Sequence, residues 1–306
     1  MKVFIAGGTG FLGTALIAKL LGSGHRVTAL ARSPEKLRLF LPDIEIINGS
    51  PMQSGPWQQE IARHDALLNL TGTNIFTRWT EAAKERILQS RVQSTRNIVE
   101  AIPDRPSQPM TLISASASGY YGFCGDEEKR EQDLPGNDFL ARVCRAWEQE
   151  ANRAQDKARV ITPRIGIVLG RNGGALAKML PGFRLGVAGK LGHGRQWFPW
   201  IHLDDLTDAI LYCMETNTVQ GPVNMSAPKP ARNLEFTRTL GRVLHRPTFM
   251  AVPSLMVRLA LGELSAVVLE GCKMVPGVLQ EEGFSFRFPN LEDALRNLLE
   301  KATDSD

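Results

Sequence analysis

The densest chemical signal in the chain is near its amino end, in Gly7-Gly8-Thr9-Gly10-Phe11-Leu12-Gly13. Gly8, Gly10 and Gly13 give G-x-G-x-x-G, and Gly7, Gly10 and Gly13 give G-x-x-G-x-x-G. Glycines at these spacings permit positive φ and let main-chain amides approach a pyrophosphate, whose charge then rests on a helix N-terminus. The motif alone is weak evidence. Here the apolar run Val3–Ala6 precedes it and a periodic helix follows it, which is the context that a dinucleotide site requires.

The second apolar run ends Leu30-Ala31-Arg32-Ser33, with no carboxylate before Glu35. An acidic residue here would take the ribose 2′-hydroxyl of NAD, whereas an arginine suits the 2′-phosphate of NADP. Arg32 offers a planar fork for that phosphate, so NADP(H) is the expected cofactor. Further on, Asn69-Leu70-Thr71-Gly72 puts small residues where a ribose and diphosphate would lie against backbone. Arg91 sits at the edge of an apolar helical stripe through Leu88, Val92, Thr95, Val99 and Ile102. A cation facing inward must be paired, so Arg91 is either a cofactor contact or half of a structural salt bridge.

These residues need elements to position them. Val3–Ala6, Val27–Ala31, Ile44–Ile47, Ala66–Leu70 and Met110–Ser114 read as strands. Helical patterns separate them: Phe11–Leu21, a helix opened by Ser33-Pro34, and a long one from about Glu81 to Ile102. Another helix runs from about Asp138 to Gln155, with strand again at Val160–Ile161 and Ile165–Leu169. This alternation predicts an α/β fold: a Rossmann-like, doubly wound parallel sheet with a smaller C-terminal substrate lobe. The expected NADP-binding domain covers residues 1–170 and is completed by about 200–216, with 171–306 mainly lobe. In the second half, Asp205 reads as the N-cap of a helix from Leu206 to Glu215, and the alternating Phe284, Phe286 and Phe288 as a strand.

Composition excludes several classes. Hydrophobic residues make up 43% and charged residues 22% of 306, too balanced for a disordered chain. The best apolar candidate, Leu255–Leu269, is broken by Arg258 and Glu263 and falls short of the roughly 20 residues of a bilayer span. The amino end lacks the pattern of a signal peptide. Four scattered cysteines without C-x-x-C spacing argue against a zinc site or a disulfide scaffold. A net charge of +4 without basic blocks gives little reason to expect nucleic acid. The expectations are a cytoplasmic protein, a small-molecule substrate, no nucleic-acid partner, no membrane partner and no metal.

With the loop Gly7–Gly13 and Asn69–Gly72 go Ser114-Ala115-Ser116, Tyr120-Tyr121-Gly122, Pro163-Arg164 before Gly166, and Trp200-Ile201-His202-Leu203-Asp204-Asp205. Together, over nearly the whole chain, these resemble the extended short-chain dehydrogenase/reductases. Arg78-Trp79-Thr80, Ser90-Arg91 and Gly119–Gly122 resemble more closely the atypical "epimerase family" subgroup related to the bacterial protein YfcH, which ends in a C-terminal domain of unknown function. The resemblance implies NADP(H) contacts at Gly7, Thr9, Gly10, Phe11, Leu12, Gly13, Arg32, Leu70, Thr71, Gly72, Arg91 and Ile167. It also implies a homodimer through the helices starting near Glu81 and Asp138, and a sugar-nucleotide-like or phosphorylated substrate.

One departure matters for chemistry. The family places Tyr-x-x-x-Lys on the helix after the serine strand, the lysine lowering the tyrosine pKa. Here Phe139 pairs with Val143, or Leu140 with Cys144, and neither register holds the couple. An unassisted tyrosine has a pKa near 10, so about a thousandth is ionised at neutral pH. Positioned acid–base catalysis contributes roughly 10²–10⁴-fold, so another group must stand in for ordinary carbonyl reduction. Ser116, Tyr120 and Tyr121 are the catalytic candidates, although the tyrosines could equally fill the pocket wall. Cys144, beside Leu140 and Trp147, reads as packing. Arg195 and His202 are the candidate substrate contacts, although Arg195 could equally belong to a solvated basic loop and His202, just before a helix cap, reads more readily as structural. Two readings follow: an NADP(H)-dependent oxidoreductase or epimerase with an unconventional acid–base group, or a catalytically silent NADPH-binding sensor or scaffold.

Overall fold

A computed structural model describes residues 1–38, 41 and 44–300. Residues 301–306 of the expected lobe lie outside the described residues. The strands are β1 (Lys2–Ala6), β2 (Arg26–Ala31), β3 (Glu45–Asn48), β4 (Ala66–Asn69), β5 (Met110–Ser114), β6 (Ala158–Ile165) and β7 (Gly221–Met225). They lie in the order β7-β6-β5-β4-β1-β2-β3, and the short strand Ser116–Ala117 adds to β6. Every pairing in this sheet is parallel. Strand order reverses between β1 and β4, so their carboxyl ends frame a crevice at the switch point, where ligands of such sheets bind.

Helices cover both faces because each carries one apolar stripe. On one face lie α1 (Phe11–Gly22), with Leu16, Ile17 and Leu20 buried, and a helix of residues Leu203–Glu215, with Leu206 and Ile210 buried. On the other lie α2 (Glu81–Glu100) and α3 (Phe139–Asn152), burying Ile98, Val99 and Ala151. Thr80 caps α2 by accepting from the Ala83 amide, and Asp138 caps α3 by accepting from the Ala141 amide. The outward faces of both are polar, with Glu85, Arg86, Arg142 and Arg145 exposed.

A smaller core follows β6. Helix α4 (Gly174–Arg184) contributes Leu176, Leu180 and Phe183, which pack with Phe236, Leu240 and Leu295. With Leu203–Glu215 designated α5, two expectations for this half are corrected. Helix α5 starts at Leu203, and its cap is His202, whose side chain accepts from the Asp204 amide. Asp205 instead accepts from the amides of Arg287 (2.8 Å) and Phe288 (3.0 Å). Those amides are thereby taken from any neighbouring strand, and the segment around Phe284, Phe286 and Phe288 is not a strand. Phe284 packs edge-on against both Tyr212 and Phe286, and Phe288 stacks on His202 at 4.0 Å.

Candidate functional site

The glycine loop leaves β1 and enters α1 at the switch point. Gly7 has φ +88°, a conformation that favours glycine, and a Cβ there would lie 2.8 Å from the Leu70 carbonyl. Gly13 is needed for a different reason. A Cβ on it would collide with the Gly7 carbonyl oxygen and come within 2.7 Å of the Gly8 Cα. Gly10 is the N-cap of α1, and no side chain hydrogen-bonds the first amides of the helix. Thr9 and Gly10 are exposed, and a Cβ on Gly10 would meet only the Gly7 oxygen, at 3.5 Å. The helix therefore presents free N–H donors and the positive end of its dipole to open space, a ready-made anion cradle.

Phe11 holds this loop from behind. The backbones at Gly170, Gly173 and Gly174 lie so close to its ring that a Cβ on any of them would press into it. Leu12 is half-buried against the core on the α1 side. Arg32 is exposed at the carboxyl end of β2, with Ser33 half-buried beside it. Across the crevice, the Leu70 amide donates to the Ala6 carbonyl. The Thr71 hydroxyl bonds to Asn69 Oδ1 (2.5 Å) and Ser94 Oγ (2.6 Å), and Asn69 Nδ2 donates to Thr95 (2.8 Å) and Ser114 (3.2 Å). This buried relay fixes the β4 end rigidly against α2 and β5.

Arg91 is half-buried between that strand end and α3. Its guanidinium carbon would be 3.0 Å from a Cβ on Gly72 and lies 5.1 Å from the Trp147 ring centroid. The guanidinium donates to the carbonyls of Thr73 (3.2 Å) and Ile87 (3.0 Å), and among the described residues no carboxylate pairs with it. Burial accordingly lowers its pKa from the ordinary value. The Trp147 Nε1 donor beside it is also buried and unpartnered. The salt-bridge alternative for Arg91 is thus not what the structure holds.

The expected proton-transfer end is built differently. Ser116 is buried, and its hydroxyl donates to Glu148 Oε1 at 2.6 Å. Glu148 also receives a two-pronged contact from Arg164, Nε to Oε1 and Nη2 to Oε2, both at 2.9 Å. Burial alone would lower the Arg164 pKa, but the hydrogen bonds and charge of Glu148 outweigh it and raise it. Arg164 Nη1 also donates to the Tyr121 hydroxyl at 2.9 Å, and that hydroxyl is 2.7 Å from Asn224 Oδ1. Burial pushes the Tyr121 pKa upward, away from proton exchange at neutral pH.

Ser116 and Tyr121, expected at the proton-transfer end, are thus tied into a buried hydrogen-bonded network. Tyr120 differs. It is half-buried with the Arg164 guanidinium 3.4 Å over its ring, and its hydroxyl makes no hydrogen bond among the described residues. The positions where the Tyr–Lys couple would stand are apolar. Leu140 packs on Gly119, and Cys144 is buried, its thiol pushed up to about 12.

His202, the other expected substrate contact, is 1% exposed, caps α5 and stacks on Phe288. Arg195 is exposed on the lobe, its carbonyl accepting from Arg232 at 2.6 Å, and Ile167 is half-buried against the lobe core. The sequence reading missed Glu148 as the hub of this region. A glutamate four residues after Cys144, on the buried stripe with Trp147 and Ala151, and an arginine inside the mostly buried strand β6 were the available signals.

The fold and the crevice define a dinucleotide-binding α/β protein. A model of the "NAD dependent epimerase/dehydratase family" matches residues 3–226, and one for a "Domain of unknown function (DUF1731)" matches residues 252–298. The chain belongs to the NAD dependent epimerase/dehydratase family. It is 38% identical to the chloroplastic SDR39U1 homolog of Arabidopsis thaliana over 302 residues, covering 98% of this chain and 87% of the relative. An epimerase family protein of Staphylococcus haemolyticus is 39% identical over 304 residues, covering 98% of this chain and all of the relative. The crystal structure of human epimerase family protein SDR39U1 (isoform 2) with NADPH superimposes with a TM-score of 0.87 at 35% identity, covering 98% of this chain and 99% of that one.

Proposed function

We propose that this chain is an NADP(H)-dependent oxidoreductase or epimerase of the extended short-chain dehydrogenase/reductase type, of the kind represented by SDR39U1 and YfcH. Its substrate would be a small polar molecule, sugar-nucleotide-like or phosphorylated, and four free thiols suit a cytoplasmic setting. The observation that carries the reading is the start of α1 over the switch point, which no side chain caps, with Arg32 at the end of β2. The human relative solved with NADPH supports it.

The residues fit such a group. Amides of Gly7–Gly13 receive the diphosphate, and Arg32 takes the 2′-phosphate. Leu70, Thr71 and Gly72 give a rigid floor, and Arg91 and Ile167 border the nicotinamide side. When bound, NADPH supplies a hydride. Tyr120 is the candidate left to hold a proton, since the hydroxyls of Ser116 and Tyr121 are engaged elsewhere. Arg195 is the proposed contact for an anionic substrate.

Leu140 and Cys144 favour the second reading, a catalytically silent NADPH sensor or scaffold, because they stand where the usual couple would carry its tyrosine and lysine or next to it, and supply neither group. Equilibrium titration of the purified protein with NADPH and NADH tests the shared part of both readings: tight NADPH and weak NADH binding is expected, and binding of neither overturns them. Oxidation of bound NADPH by a panel of sugar nucleotides, ketones and quinones then decides for the enzyme, and inertness towards the whole panel decides for the sensor.

A further inference from the structure

The C-terminal lobe carries an apolar surface that nothing in the cofactor reading uses. Two segments run side by side there, because Lys190–Leu191 pairs in parallel with Ala251–Val252. A Cβ on Gly186 would lie 3.5 Å from the Pro247 ring, and Arg246 Nε donates to the Arg184 carbonyl at 2.9 Å, so the segments stay adjacent back to residue 184. From this ribbon protrude Leu185 (76% exposed), Val187 and Phe249 (83%). The ribbon leads into α6 (Ser254–Leu261), a helix that buries only Val257 and leaves Leu255, Met256 and Leu259 outside, Leu259 at 79%. Isolated exposed leucines are ordinary, but a cluster of this kind marks an interaction surface.

Charge selects the occupant. Residues 184–191 and 245–262 contain Arg184, Lys190, Arg246 and Arg258 and no aspartate or glutamate. Among the described residues none of these four cations is paired with a carboxylate, whereas Lys84, Arg96, Arg130, Arg242 and Arg296 all are. A second copy of the same face would bring like charges together. A folded acidic partner would need pockets to receive anchors, yet these side chains stand out from the surface. Protruding Phe, Leu and Met side chains on segments that also carry unpaired arginines suit a fluid partner that closes around them. Apolar groups enter the acyl boundary while the cations meet anionic headgroups.

We propose that this lobe docks peripherally on an anionic lipid surface through the 184–191/245–252 ribbon and α6. The expectation of no membrane partner rested on the lack of a span. No helix among the described residues is long and apolar enough to cross a membrane, and surface docking needs none.

The test is co-sedimentation of the full chain with phosphatidylcholine vesicles with and without phosphatidylglycerol, at low and high salt. Binding is expected only with phosphatidylglycerol and should fall as salt screens the charges. Arg184→Gln with Arg258→Gln should weaken the partition coefficient about fivefold per arginine, and Phe249→Ser with Leu259→Ser roughly tenfold or more. Thermal melting confirms that each variant is folded, and the readout does not depend on cofactor binding. Absence of vesicle binding at low salt, or binding that both double variants leave unchanged, overturns the proposal. So does a dimer indifferent to vesicles that Phe249→Ser with Leu259→Ser converts to monomer, since that face then belongs to a second copy.

Discussion

The two ends of the crevice are built from different material. At the phosphate end the main chain forms the site: glycines strip away side chains, no side chain caps the start of α1, and the amides face open space. At the proton-transfer end, polar side chains are abundant but consumed by one another, Ser116 by Glu148, Glu148 by Arg164, Arg164 by Tyr121. Binding a diphosphate needs only a backbone path, which steric exclusion maintains. Moving a proton needs a free group with a tuned pKa, and here burial raises the Tyr121 and Cys144 values instead. A dinucleotide site can therefore persist in full while its usual catalytic couple is absent.

Experiments can separate the two ends. The largest effect is expected at Glu148. Glu148→Ala leaves the Arg164 guanidinium buried without its carboxylate and should cost about 3–5 kcal/mol in urea unfolding, with residual NADPH binding in whatever fraction stays folded. At the other end, Gly13→Val drives a Cβ into the Gly8 backbone. It should abolish measurable NADPH binding while costing only about 1–3 kcal/mol of stability. If both substitutions moved stability and affinity together, the division between the ends would collapse.

Arg32→Ala should weaken NADPH by the worth of a charged hydrogen bond, about 1.5–3 kcal/mol, and leave NADH unchanged. Equal loss for both cofactors would remove Arg32 from the 2′-phosphate. A pH series probes the interior. Burial holds Cys144, Cys213 and Cys272 up to about 12, against an ordinary 9.0. The folded chain keeps protons that the unfolded chain releases, so this stabilisation is complete below pH 9.0 and is lost as pH climbs towards 12. The slope is about 1.4 kcal/mol per pH unit and per thiol, and Cys213→Ala should flatten it. Smallest is Ser116→Ala, about 1 kcal/mol, since Glu148 keeps both prongs of Arg164. A loss of turnover far beyond that would restore Ser116 to the chemistry.

Much of the frame was legible in the residues. The runs Val3–Ala6 and Met110–Ser114 and the helix from Glu81 follow from periodicity and caps, because these signals are local. The glycine loop was legible for the same reason: its spacing and its function lie in one continuous turn. The α5 cap was misread at Asp205 because the amides its carboxylate serves, those of Arg287 and Phe288, lie 82 and 83 residues on. The Phe284–Phe288 alternation has the period of a strand, yet a strand also needs a partner edge, and the amides there were already bound.

The sequence by itself determined the crossover topology, the phosphate cradle and the loss of the Tyr–Lys couple, since each depends on residues close together along the chain. Tertiary structure alone decided which hydroxyls remain available. Ser116, Glu148, Arg164 and Tyr121 come from separate elements, and their bonding follows from how α3 packs over β6. It also decided that Arg91 lies against Gly72 and Trp147 with no carboxylate to meet it among the described residues. Pairing of a buried charge is settled by whatever else is buried beside it, and distance along the chain carries no record of that.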